Sequence, residues 1–284
     1  MGRKIGVIIC SNSGADYETF DYPIEKIYTN LHLNDVIYKD YVDIAAEDFY
    51  NRIKTEPNLD IKTSQPPVGE IVQKYKELKK KGYQDILVIT ISNKLSGTYS
   101  GCVIASEMVE GVNVRVVDSK SVSYGELYLL LEAIKLIKAG HTLDEVADTV
   151  EAIIPKINVL VYVDTLKFLV KNGRLSATKG ALATLLRIKP ILRITQEDGA
   201  LVPYEKIRTS KKAIKRIYEI FEKETKGKDI IGFVAYTDNK EFGEKVRKHL
   251  LTIRPDIKVE LVQLTPVVGA HAGPGTLGVG YVII

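Results

Sequence analysis

Tryptophan is absent from this chain of 284 residues, and cysteine and methionine occur only twice each. Cys10 and Cys102 lie far apart and form no C-x-x-C pair. Neither a disulfide framework nor a cysteine zinc site is therefore expected, and a reducing compartment is. No apolar run approaches the roughly 20 residues that span a bilayer. Met1-Gly2-Arg3-Lys4-Ile5 leads straight into a short strand-like segment, without the apolar stretch of a signal peptide. The expected location is the cytoplasm. Charge of one sign is scarce too: 40 basic residues face 36 acidic ones, a net of +4. Such a balance carries no polyanion-binding signature, so no nucleic-acid partner is expected. Also missing are a G-x-x-x-x-G-K-[ST] phosphate loop, an H-E-x-x-H helix and a G-x-S-x-G elbow. No stretch gathers a nucleophile, a base and an orienting group, which argues against a hydrolase, although triads need not be local.

What is present is the composition of a soluble globular protein, 45% hydrophobic and 27% charged, at a length that suits about two domains. Short β-branched runs alternate with helical patterns. Ile5 to Ile9 and Ile86 to Ile91 read as buried strands. Val68, Ile71, Val72, Tyr75 and Leu78 keep helical spacing, and Lys79-Lys80-Lys81-Gly82 closes that helix. A helix from about Tyr99 to Met108, a strand at Val114 to Val117, and helices over Tyr124 to Lys138 and Leu143 to Ile153 follow. Strand and helix alternating at this pitch imply a parallel sheet covered on both faces. The second half differs. Ile188 to Thr195 and Leu201 to Ile207 flank Gln196-Glu197-Asp198-Gly199, and Asp-Gly between β-rich runs signals a hairpin. Strands at Val159 to Val163, Ile230 to Tyr236, Val259 to Leu264 and Gly278 to Ile284 are expected there, with helices near Lys211 to Lys223 and Lys240 to Ile253. The fold class is α/β in two domains. Residues 1–158 form a mainly parallel domain, and residues 159–284 a domain with a mixed or antiparallel sheet.

Four polar stretches are candidates for a site. Thr63-Ser64-Gln65-Pro66 precedes the helix of Val68 to Leu78. Hydroxyls and free N–H groups at a helix start favour an anion, but the same residues also read as a helix cap followed by proline. Leu95-Ser96-Gly97-Thr98 follows the clearest strand and opens the next helix. Ligands of open α/β sheets lie just beyond the carboxyl ends of strands, though a capped helix accounts for the pattern equally well. Cys10-Ser11-Asn12-Ser13-Gly14 follows the first strand in the same way. His271-Ala272-Gly273-Pro274-Gly275 reads as a turn where backbone approaches a ligand closely. Its histidine either donates to a loop carbonyl or binds an acid and tunes its charge near pH 7. The other histidines, His32, His141 and His249, read as solvated. Arg208, Lys211, Lys212, Lys215 and Arg216 surround one helix start, either as a solvated face or as a docking face for an acidic partner or membrane surface.

Read together, these blocks resemble the DegV family, the fatty-acid-binding proteins that serve bacterial fatty acid kinase. Ser11-Asn12-Ser13-Gly14-Ala15-Asp16 is similar to the family's T-D-S-x-A-D, with Asn12 for the usual Asp. Thr63-Ser64-Gln65-Pro66 matches T-S-Q-P, Leu95-Ser96-Gly97-Thr98-Tyr99 matches L-S-G-T-Y, and Asp118-Ser119 matches a V-x-D-S turn. Gly173-Arg174-Leu175-Ser176 is similar to G-R-I-S, with Asn172 for a preceding Gly, and His271-Ala272-Gly273-Pro274-Gly275 matches H-x-G-P-G. Leu127 stands where the family often has a second Gly after Gly125.

The resemblance implies one long-chain fatty acid held in a tunnel between two domains. Its carboxylate is presented to a separate ATP-dependent fatty acid kinase subunit, and the acyl-phosphate formed feeds phospholipid synthesis. Carried over by motif, Thr63, Ser96 and His271 bind the carboxylate. Ser64, Gly97, Thr98 and Gly273 border the pocket, and Arg174 contacts phosphate or the partner at the entrance. In that picture this chain is a lipid-binding protein rather than an enzyme, with no catalytic residue, no metal and no cofactor beyond the bound acid, and with transient membrane-surface contact. The alternatives are a stand-alone phosphotransferase and a carrier or regulator for another apolar acid, such as a retinoid or sterol.

Overall fold

The computed structural model describes residues 4–178 and 188–284; the opening Met1-Gly2-Arg3 lies outside them. Its first sheet has the order β2-β1-β6-β7 and is parallel throughout, built from β1 (Ile5–Cys10), β2 (Ile24–Ile27), β6 (Asp85–Thr90) and β7 (Asn113–Asp118). Every residue of β1 and β6 is buried, as central parallel strands with helices on both faces require. Side chains alternate between those faces. Ile8, Cys10, Ile86 and Val88 pack with α2 (Val68–Lys80) and α3 (Thr98–Glu107). Ile5, Val7, Ile9, Leu87 and Ile89 pack with α4 (Tyr124–Lys138) and α5 (Leu143–Ile153). The start of α5 is set by a reciprocal cap: Thr142 accepts from the Glu145 N–H while the Glu145 carboxylate accepts from the Thr142 N–H.

The second sheet has the order β10-β9-β8-β13-β11-β12. Its members are β8 (Ile157–Tyr162), β9 (Ile191–Ile194), β10 (Leu201–Glu205), β11 (Ile230–Tyr236), β12 (Lys258–Gln263) and β13 (Leu277–Ile283). Only β11 and β12 pair in parallel; the other neighbours are antiparallel. The Asp198-Gly199 turn joins β9 to β10, with Gly199 at φ 75°. One face packs on α7 (Ser210–Thr225) and α8 (Lys240–Ile253). The other meets α4 directly, with the Tyr124 and Phe233 rings 4.9 Å apart. Seven consecutive residues of α4, Tyr124 to Leu130, are buried, because the helix is wedged between the two sheets and is apolar on more than one side. No described helix is long and apolar enough to cross a membrane.

A third sheet, β4-β3-β5, is antiparallel and absent from the sequence reading. It comprises β3 (Asn30–Leu33), β4 (Val36–Lys39) and β5 (Ile61–Ser64), covered by α1 (Ala46–Thr55) and α9 (Pro266–Ala272) around Leu31, Phe49, Tyr50 and Ala270. The short α6 (Lys167–Lys171) packs at its margin through Phe168. Two expectations change here. Thr63 and Ser64 lie on β5 rather than at a helix start, since pairing with β3 extends that segment; α2 begins at Val68 with no side-chain cap. His271 sits in the last turn of α9 rather than in a loop. Thr265-Pro266 opens that helix, with proline preset for its first turn, and Gly273 at φ 79° ends it.

Candidate functional site

Between the two large sheets lies a cavity of about 1100 Å3, open solvent at its mouth included. Its walls are largely apolar, with Ile91, Val122, Val159, Ile194 and Phe233 among them, and it is polar where Thr63, Gln65, Ser96, Gly97, Arg174 and His271 meet. Gln65 and Gly97 are exposed, so the polar end communicates with solvent. The three distant motifs are thus brought to one place: the end of β5, the loop after β6, and the last turn of α9.

The Thr63 hydroxyl and His271 Nε2 stand 2.8 Å apart, across 208 positions of sequence. Burial, followed by the nearby Arg174 guanidinium, lowers His271 from 6.5 to about 4. Its ring is therefore neutral at pH 7, which corrects the expectation that it tunes its charge there. The Nδ1 atom is buried and has no hydrogen-bond partner among the described residues. A proton on Nδ1 would be an unpaired buried donor, the costlier alternative. We therefore assign the Nε2–H tautomer, donating to Thr63 Oγ1. Thr63 is then left free to donate its own hydroxyl proton into the cavity.

Ser96 lies 2.8 Å from Thr98 Oγ1 and also accepts from the Thr98 N–H at 3.3 Å. Gly97 allows a close approach: a Cβ there would come within 2.0 Å of the Gln65 side-chain oxygen. Arg174 lines the same polar end, anchored by donation from Nε to the Leu95 carbonyl at 3.2 Å and from Nη1 to the Asn172 carbonyl at 2.7 Å.

Three of the residues expected at the border lie off the wall. Ser64 is exposed and bonds His32 Nε2 at 2.9 Å, because successive side chains of β5 point to opposite faces. Thr98 is buried behind Ser96. Gly273 packs under Phe168, where a Cβ would meet the ring at 2.4 Å. Conversely, Gln65 lines the cavity, although only its motif neighbours were given roles. Asn12 does so as well. Its amide donates to Glu126 Oε2 at 2.5 Å. Glu126 is wholly buried, and that burial pushes its carboxyl well above the usual range, against the opposing pull of Asn12. The amide at position 12 gives Glu126 a donor where an ionised carboxylate would not.

The chain is similar to known proteins over nearly its whole length. The family described as uncharacterised proteins of the DegV family matches residues 4–283. A DegV domain-containing protein of Staphylococcus aureus is 37% identical over 98% of this chain and 97% of its own length. The crystal structure of DegV from Bacillus subtilis, described as a fatty acid binding protein, superposes with a TM-score of 0.89 at 29% identity, covering 99% of this chain and 100% of that one. The fatty acid binding DegV family protein SAG1342 from Streptococcus agalactiae gives a TM-score of 0.90 at 25% identity, covering 99% of each.

Proposed function

The chain belongs to the DegV family, and on that premise we propose that it binds one long-chain fatty acid and presents the carboxylate to an ATP-dependent fatty acid kinase for conversion to acyl-phosphate. The observation that carries this reading is the join of an apolar cavity to a polar end made by Thr63, Ser96 and His271. A chain of sixteen carbons has about 12 kcal/mol of gross burial to gain at about 0.8 kcal/mol per methylene, before ordering costs. Its carboxylate is costly to desolvate unless it is hydrogen-bonded. Hydroxyl donors from Thr63 and Ser96 offset that cost, and the neutral His271 keeps the Thr63 proton directed outward. Exposed Gln65 and Gly97 leave an edge of the headgroup within reach of a partner.

In this reading two domains enclose the acid; the sequence boundary between residues 158 and 159 falls inside β8 (Ile157–Tyr162), so the division moves to just before that strand. Arg174 sits at the mouth to meet phosphate or the kinase. The chain does no chemistry alone, works in the cytoplasm and touches membrane only transiently, and its product enters phospholipid synthesis. Native mass spectrometry of the purified protein tests the core of this reading. One equivalent of a long-chain fatty acid is expected, and a retinoid or sterol in its place would favour the alternative carrier. Incubation of the chain alone with ATP and oleate is expected to yield no acyl-phosphate; product formed without a kinase would make it a phosphotransferase.

A further inference from the structure

Asp40 has no exposed surface and is not one of the clamp residues. Its carboxyl nevertheless joins stretches of chain that meet at the clamp. Oδ2 accepts from Ser11 Oγ at 2.8 Å, next to Asn12 on the cavity wall. Oδ1 accepts from the Val267 N–H at 3.2 Å, in the first turn of α9. The Asp40 N–H itself donates to the Thr29 carbonyl at 3.0 Å. Thr265, the residue before α9, gives that helix no side-chain cap. Asp40 supplies the missing acceptor from a distant strand end, at the pole of the helix that favours negative charge. Val267 and His271 both line the cavity. They are one helical turn apart, about 6 Å along the axis. Other contacts restrain α9 as well: Tyr50 donates to the Leu264 carbonyl at 3.2 Å, Asn172 to the Ala270 carbonyl at 3.1 Å, and the Thr276 hydroxyl to the Ala272 carbonyl at 2.9 Å.

The groups around Asp40 offer it little positive charge. Asp16 faces it from the turn that follows Ser13, and is itself paired with Lys26 at 2.8 Å. Tyr17 comes from the same turn, Tyr28 from the segment between β2 and β3, and Tyr50 from α1. The titratable group of α9 is His271, which is neutral at pH 7. Burial accordingly lifts the Asp40 carboxyl to about 7, against the pull of Ser11 and Val267. The Thr265 hydroxyl, buried and with no other hydrogen-bond partner among the described residues, also pulls the Asp40 carboxyl down, as Ser11 and Val267 do.

We propose that Asp40 is a positioning residue of the acid clamp, holding α9 so that His271 meets Thr63, and that loading an ionised fatty acid is linked to uptake of a proton from solvent by Asp40. The inference rests on the carrier reading above. An incoming carboxylate adds a second negative charge to one weakly polar interior, and like charges raise each other's proton affinity. The proton affinity of Asp40 is then higher in the loaded protein than in the empty one. By linkage, acid affinity is greatest where Asp40 is already neutral and falls as pH rises past 7.

Calorimetric titration of the full chain with dodecanoate, between about pH 6 and about pH 8.5, tests this, because the acid itself stays ionised throughout. It is run in two buffers of different ionisation heat. Affinity is expected to fall about fivefold or more across the range, with proton uptake per acid bound near pH 7. Asp40→Asn is expected to bind with neither slope nor uptake. A purely structural Asp40 would instead lower the variant's affinity by one factor at every pH, and equal slopes in the two proteins would overturn the proposal. If the variant does not fold, the two-buffer experiment on the unaltered chain decides alone, and absence of proton uptake overturns it. Failure of dodecanoate, palmitate and oleate to bind at any pH would remove the carrier reading, and this inference with it.

Discussion

The parallel sheet and the small antiparallel sheet both border the clamp, but they are held in place by different means. In the parallel sheet, β1 and β6 are buried along their whole length between two layers of helix. In the small sheet, the edge strand β4 leaves Val36 and Ile37 exposed at 52% and 59%, and beyond its own small apolar core the unit is tied to its surroundings by polar contacts, among them those of Asp40 and Tyr50 and the ion pairs Lys39–Glu70, Lys54–Asp238 and Lys171–Asp60. Ser96 stands on the first scaffold; Thr63 and His271 stand on the second. Overall stability and binding geometry are therefore expected to respond to different substitutions.

The largest effect on stability should come from the parallel sheet. Leu87→Ala deletes a fully buried side chain and should cost about 2–5 kcal/mol in urea unfolding. Its oleate affinity should stay near normal while the protein is folded; a large loss of affinity would erase the distinction between the two sheets. In the small unit, Gly269→Ala forces a Cβ to within 2.3 Å of the Tyr50 hydroxyl. Overpacking of that kind costs about 1–3 kcal/mol. Here, however, the displaced helix carries His271, so affinity should drop along with stability. Unchanged affinity would mean that α9 does not set the clamp.

Thr63→Ala removes a donor and leaves the His271 N–H unpaired. Acid binding should weaken by about 1–3 kcal/mol. Normal binding by both Thr63→Ala and Ser96→Ala would remove the clamp. A subtler comparison uses pH. His271 is lowered in the folded protein from 6.5 to about 4, so the unfolded chain binds its proton more readily. The stability tied to a neutral His271 is complete above about 6.5 and is lost as pH falls toward 4. His271→Gln should flatten that part of the pH–stability curve, and an identical acid limb in the variant would show that His271 titrates normally. The smallest binding effect is expected for Arg174→Ala, which should leave acid affinity intact and slow acyl-phosphate formation by the kinase. Lost affinity would place Arg174 inside the headgroup site.

Legibility followed the strength of local signals. The spans Tyr124–Lys138, Leu143–Ile153, Ile230–Tyr236 and Lys240–Ile253 coincide with the elements read from apolar periodicity, because long buried faces leave a strong imprint. The strands Asn30–Leu33 and Val36–Lys39 did not stand out. They are four residues long, mix polar with apolar side chains, and are stabilised by pairing that no single strand reveals. Helix α9 was hidden by the glycines that follow it, although Thr265-Pro266 marked its start.

Sequence alone determined the alternation of strands and helices, the parallel first sheet and mixed second one, and the family motifs with their order. Those depend on neighbours in the chain or on periodic faces a few residues apart. Only the tertiary structure decided that Thr63 touches His271, that Ser64 turns away, and that Gln65 and Asn12 reach the cavity wall. It also decided the direction in which burial shifts the proton affinities of His271, Asp40 and Glu126. Contact and burial are properties of space rather than of sequence position, and in a weakly polar interior they govern whether a side chain keeps its proton.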